Sequence, residues 1–178
     1  MSSRPLLTLI AAVSADGFIS TGKGVPWHLP CDQEHFRHIT RGQWLLIGRT
    51  TYEEMVGWFQ DHHPLVLTRD NSFKPAVGQA VSSVPEALRI AAEGGAQELF
   101  VCGGSGAYAA AIPSADRLVL THVASNLYKG VPFPTFEPAE WERVSRQDFP
   151  ADLTHPHALA FATYERRSTT KKLTGSPL

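Results

Sequence analysis

A chain of 178 residues, 43% hydrophobic and 19% charged, has the make-up of one globular domain, and no apolar run in it approaches the ~18 residues a membrane span needs. Sixteen Lys and Arg against seventeen Asp and Glu leave a net charge of −1, which excludes the basic field of a nucleic-acid or anionic-membrane binder. Two distant cysteines, Cys31 and Cys102, argue against a disulfide scaffold and a zinc ribbon, and point to a reducing, cytoplasmic setting.

The opening stretch, with Asp16 and the alternation after it, predicts a first strand over 6–13 in preference to a signal peptide. A helix follows over 31–40, then a strand over 44–48, a helix over 51–59 started by a capping box of Thr50 and Glu53, and a strand over 64–68. Residues 83–95 carry the fullest helix signature: Ser83 with Glu86 as capping box, Pro85 in the first turn, and Gly94 as the stop. A strand over 99–103, a helix over 105–112 and a strand over 117–123 continue the alternation, which implies parallel pairing with right-handed crossovers. After residue 140, WERVSRQDF and ALAFATYERR have no helix between them and predict an antiparallel hairpin on the sheet edge. The expected class is α/β: a single domain with a central, mostly parallel mixed sheet, a C-terminal antiparallel hairpin and about four flanking helices. No repeat or linker divides it; the domain is expected over 1–167, with 168–178 a disordered tail.

Chemistry concentrates in few places. If 31–40 is helical, Asp32, Phe36 and Ile39 fall at i, i+4 and i+7, and a carboxylate shares a face with two large apolar side chains. Either Asp32 complements the helix dipole and faces water, or it is a desolvated acid on a pocket wall roofed by Pro26 and Trp27; spacing leaves both open. Two strand-to-helix turns, Arg49-Thr50-Thr51 after WLLIG and Gly103-Gly104-Ser105-Gly106 after LFVC, offer backbone N–H groups, an arginine and glycines that let a phosphate approach. Thr68 and Arg69, past the strand over 64–68, suit a second phosphate. Each is equally readable as an ordinary turn. The glycine run does not match G-x-G-x-x-G, and the eight histidines form no four-ligand set, so no metal is expected. The outline is that of a nucleotide-cofactor enzyme, with no reaction attached.

In order and spacing, LTLIAAVSADGFIS, GVPWHLPCDQEHFR, WLLIGRTTYEEM, LFVCGGSGAY, RLVLTHV and FATYERR resemble the dihydrofolate reductase family, most specifically through P-W-x-L-P-x-D-x-x-x-F and G-R-x-T-[WY]-E. The resemblance implies NADPH-dependent hydride transfer to 7,8-dihydrofolate, giving tetrahydrofolate. It also implies a small pterin substrate, no nucleic-acid or membrane partner, and a monomer or homodimer. By resemblance Asp32 holds the amino-pyrimidine edge of the pterin, Thr121 supports it, and Trp27 holds a water or the mobile loop above the site; Phe36, Met55, Ile10 and Ala11 line the substrate pocket. Ala12, Ile19 and Tyr108 fall at the nicotinamide. Arg49, Thr50 and Thr51 fall at the phosphates, Gly103, Gly104 and Ser105 at the pyrophosphate, Thr68 and Arg69 at the adenosine 2′-phosphate, and Gly48, Leu67, Cys102 and Gly106 also count among the cofactor-binding residues.

The chain departs from the family in three places. His62 stands where the family has an arginine that clamps the glutamate carboxylate of folate; Lys129-Gly130-Val131-Pro132 lacks an aspartate from a loop that steadies the lid; Gly106 replaces an arginine. Two other readings share the fold: a riboflavin-biosynthesis-type reductase of a ribosylamino-pyrimidine, and a non-catalytic NADPH-binding protein. The first accounts for the missing clamp but not for the P-W-x-L-P-x-D context; the intact Asp32 speaks against the second.

Overall fold

The computed structural model describes residues 4–168; the expected tail over 168–178 lies, Ser168 apart, outside the described residues. Eight strands form one sheet in the order β5-β4-β3-β6-β1-β7-β10-β9. These are β1 (Leu6–Ser14), β3 (Trp44–Gly48), β4 (His63–Leu67), β5 (Gln79–Val81), β6 (Glu98–Val101), β7 (Arg117–Val123), β9 (Trp141–Phe149) and β10 (Leu159–Arg166). From β5 to β7 every pairing is parallel; β10 runs antiparallel to both β7 and β9. The C-terminal hairpin is where its missing helix puts it, at the edge. Two further strands, β2 (Phe18–Ser20) and β8 (Val131–Pro132), pair separately.

The central strands read as apolar runs because both faces are covered. On one face Leu7, Leu9, Leu46, Leu99, Leu118 and Leu120 meet the small residues of α3 (Val84–Glu93) and α4 (Ser105–Ala111), among them Ala87, Ala91, Ala107 and Ala111. The alternate residues Ile10, Leu45, Ile47, Val66 and Phe100 face the other way, towards Phe36 and Ile39 of α1 (Pro30–Thr40) and Tyr52 of α2 (Arg49–Glu54). Edge strand β9 is exposed along most of its length and carries Glu142, Arg143, Arg146 and Asp148, charges that discourage pairing with another chain.

The helix over 83–95 forms as expected, with Ser83 Oγ accepting the Glu86 N–H at 3.2 Å, although Glu86 reaches back to Ser82 N at 2.7 Å, one residue beyond the N-cap. The helix expected over 51–59 requires correction. It runs Arg49–Glu54 with Gly48 as N-cap, so Thr50 lies inside the first turn and caps nothing, and Glu53 is engaged by Arg49 at 2.9 Å. It ends early because the chain turns through Gly57 at φ +93, outside the helical region. Three strands that the sequence did not suggest, β2, β5 and β8, are two or three residues long, too short to carry a period.

Candidate active site

Pro30 opens α1, and the third helical residue, Asp32, turns inward. Its Oδ1 accepts the Thr121 hydroxyl of β7 at 2.6 Å, and burial holds the carboxyl above its ordinary range, against the opposing effects of the Thr121 bond and nearby His35. Thr121 is itself buried, fixed beside Ala12 by the β1–β7 register. Trp27 closes one side with Leu29, Val123 and Leu159, and its indole N–H, buried, has no hydrogen-bond partner among the described residues. Of the two readings of Asp32, the structure selects the desolvated acid. Ile10, Phe36 and Met55 lie in the adjoining apolar cluster.

Beside this corner runs a cleft of about 920 Å³, within the range of cofactor sites. All fifteen residues named above for the cofactor, from Ala12 to Tyr108, line it, and so does Ala11. Its two ends differ. Ala11, Ala12, Ile19 and the buried ring of Tyr108 make one end apolar, and the Tyr108 hydroxyl donates to Ile10 O at 2.7 Å, tying α4 to β1. At the other end stand Arg49 and Arg69. Arg69 pairs with no carboxylate among the described residues, whereas Arg49 donates to Glu53 and Asp70, each at 2.9 Å, and lies 4.4 Å over Phe73. Between the ends the two strand-to-helix turns lie back to back: Gly48 N donates to Gly103 O at 2.7 Å. A Cβ on Gly48 would stand 3.2 Å from Gly104 N, and one on Gly104 would stand 2.9 Å from Thr51 Oγ1. Backbone that close, with an apolar pocket at one end and cations at the other, fits a dinucleotide phosphate whose ring needs a dry slot. The sequence did not single out Ser20, Gly22, Gly24, Val25 and Val131, which close the outer wall.

That wall is anchored by Asp16. Its carboxylate accepts the backbone N–H of Tyr128 at 2.7 Å and of Leu127 at 3.1 Å, and the Ser14 hydroxyl at 2.6 Å. Asp16 thus ties the turn between β1 and β2 to the segment that leads to β8.

A family model described as Dihydrofolate reductase matches residues 6–166. The chain belongs to the dihydrofolate reductase family. It is 31% identical to Dihydrofolate reductase type 3 of Salmonella typhimurium over 162 residues, which is 91% of this chain and 99% of that protein. It is 31% identical to Dihydrofolate reductase of Bacillus subtilis over 168 residues, 93% and 98% of the two chains. Among solved structures, dihydrofolate reductase from Enterococcus faecalis complexed with NADP(H) and RAB-propyl aligns with a TM-score of 0.81 at 28% identity, over 92% of this chain and 97% of that one.

Within this dihydrofolate reductase fold His62 sits in an aromatic corner beside Trp58 and Phe59. The imidazole is nearly enclosed, stacked on Trp58 at 4.3 Å, with Nε2 3.5 Å from Thr40 Oγ1 and Nδ1 3.3 Å from Asp61 Oδ1 without hydrogen-bond geometry. Burial lowers its pKa, so at neutral pH it is uncharged. A charged contact to a carboxylate is worth about 1.5–3 kcal/mol, or roughly 10- to 100-fold. With no cation at His62, removing the glutamyl tail of dihydrofolate is expected to change kcat/KM by less than about 3-fold. Steady-state kinetics with a tail-less dihydropteridine check this, and a loss of 10-fold or more would refute it.

Proposed function

We propose that this chain reduces 7,8-dihydrofolate to tetrahydrofolate with NADPH, acting in the cytoplasm, where its free thiols Cys31 and Cys102 stay reduced. The observation that carries the reading is the desolvated Asp32 carboxylate, oriented by Thr121 beside the dinucleotide-shaped cleft. The amidine-like edge of a pterin presents parallel donors that one carboxylate accepts bidentately. Thr121 donates to Oδ1 and so holds the carboxylate plane; the surrounding apolar wall strengthens the pairing by excluding water. A negative charge there stabilises the protonated, electrophilic form of the ring. A buried donor without a protein partner is satisfied by water or ligand, and in this reading the Trp27 N–H holds the water that passes the proton on. Phe36 and Met55 press on the ring. Arg69, Thr68 and Arg49 bind phosphate; for Arg49 this means exchanging Asp70 or Glu53 for the ligand. NADPH, when bound, supplies the hydride.

The test is the spectrophotometric assay of NADPH oxidation with dihydrofolate. Steady consumption is expected. Turnover of a ribosylamino-pyrimidine but not of dihydrofolate would replace this reading with the riboflavin-type reductase, and NADPH binding without turnover of either would leave a binding protein.

A further inference from the structure

The helix that carries Asp32 cannot cap itself. Its N-cap is Leu29, which offers no side-chain acceptor, and its first residue, Pro30, has no N–H, so the first donor left without an intrahelical partner is the Cys31 N–H. That donor is met from far along the chain: His155 Nε2 accepts it at 3.2 Å, across 124 residues. His155 sits in the connector between β9 and β10, and its ring is fixed from the other side. Nδ1 lies 3.0 Å from Asp152 Oδ1, an oxygen that also accepts the N–H of Thr154 at 2.8 Å and of His155 at 2.7 Å. Asp152 N in turn donates to His155 O at 2.9 Å, closing the turn. Because Nε2 accepts a backbone N–H, the ring proton is on Nδ1 and points at the carboxylate. One oxygen therefore sets both the fold of the connector and the tautomer of the ring.

We propose that His155, oriented by Asp152, is a positioning residue for the reduction: it caps α1 one residue before Asp32 and so sets where the carboxylate meets Thr121 and the substrate. The inference rests on the reading that Asp32 grips the pterin. The connector enters β10, and β10 pairs Phe161 with Thr121, so the same strand bears on both ends of the Asp32–Thr121 bond: the cap at the helix start and the strand that carries Thr121. Cys31 packs against the cluster of Trp27, Leu29, Val123 and Leu159, which Phe149 at the other flank of the connector also joins, so a shift of the helix start is transmitted to the wall of the pocket. Displacement of a reacting group by an ångström is worth up to about 100-fold in rate, and a lost cap permits a fraction of that.

The experiment compares His155→Ala, His155→Gln and Asp152→Asn with the wild-type chain, reading thermal unfolding, NADPH affinity, affinity for a 2,4-diaminopyrimidine that pairs its amidine with Asp32, and kcat and KM for dihydrofolate. His155→Ala is expected to weaken the diaminopyrimidine and lower kcat/KM by about 5- to 10-fold, with NADPH affinity within about 2-fold, because the cleft lies on other elements. His155→Gln, whose amide oxygen can accept the same N–H, restores most of the loss, and Asp152→Asn shows a smaller deficit of the same kind. A lower unfolding temperature with unchanged ligand affinity and kcat/KM, or equal losses for NADPH and the diaminopyrimidine, overturns the proposal. If the wild-type chain itself neither reduces dihydrofolate nor binds the diaminopyrimidine, the functional reading falls, and this inference with it. Should His155→Ala fail to fold, His155→Gln and Asp152→Asn decide.

Discussion

Asp32→Asn is expected to lower kcat/KM for dihydrofolate by at least about 100-fold at neutral pH, while NADPH affinity stays within about 2-fold because Asp32 is outside the cleft lining. Asparagine still accepts the Thr121 hydroxyl, so the geometry survives and only the charge is lost. The loss should be steepest where the solution supplies few protons, because there the carboxylate does most to favour the protonated ring. Burial raises the Asp32 pKa, so between the ordinary and the raised value the folded chain binds more protons than the unfolded chain, and stability falls as pH rises through that window. Above it the destabilisation is complete. The asparagine variant escapes it, and should unfold at the same or a higher temperature than wild type at pH 7, the difference closing as pH falls into the ordinary carboxylate range. Steady-state kinetics and thermal scans at several pH values measure both. Retention of more than about a tenth of wild-type kcat/KM would remove Asp32 from its role.

The second large effect is on the outer wall. Gly130 has φ +154, and a Cβ there would stand 2.1 Å from Ser20 O, a backbone atom of β2 that cannot rotate away. Gly130→Ala must therefore push β2 from β8, whose register pairs Ser20 with Val131, and with it Ile19 and Ser20, which line the cleft. Overpacking of this kind destabilises by about 1–3 kcal/mol. Because the displaced residues bound the apolar end of the cleft, NADPH affinity and kcat should each fall by about 10-fold. Gly42→Ala is the control: φ is +69 but nothing lies within 4 Å of the new Cβ, so it should lose about 1–2 kcal/mol through backbone strain and keep its kinetics. Thermal unfolding, NADPH titration and turnover separate the two, and a Gly130→Ala protein with unchanged cofactor affinity would show that the wall is not coupled to the site.

Both effects come from contacts that no local pattern announces. Spacing placed Asp32 on an apolar face, yet could not choose between water and a pocket; the deciding atom is the Thr121 hydroxyl, 89 residues on. The glycines at 103 and 104 were visible as a turn, but that a second turn at Gly48 lies against them follows only from the parallel neighbours β3 and β6. The tie from Asp16 to Leu127 and Tyr128 was not legible, because its partners are backbone N–H groups, which every residue has. Gly57, at φ +93, is a breaker within the expected span 51–59, and α2 ends before it at Glu54.

Strands, helices, the edge hairpin and the family itself were readable from the chain because period, caps and turn residues act within a few positions of one another. The family motifs add the residues expected at the cofactor, all of which line one cleft. Folding alone brought the desolvation of Asp32, the neutral His62, the Asp16 anchor and the His155 cap. Each depends on groups more than twenty residues apart, or on burial by several elements at once, and such proximity leaves no trace in a single sequence until a sheet draws its strands together.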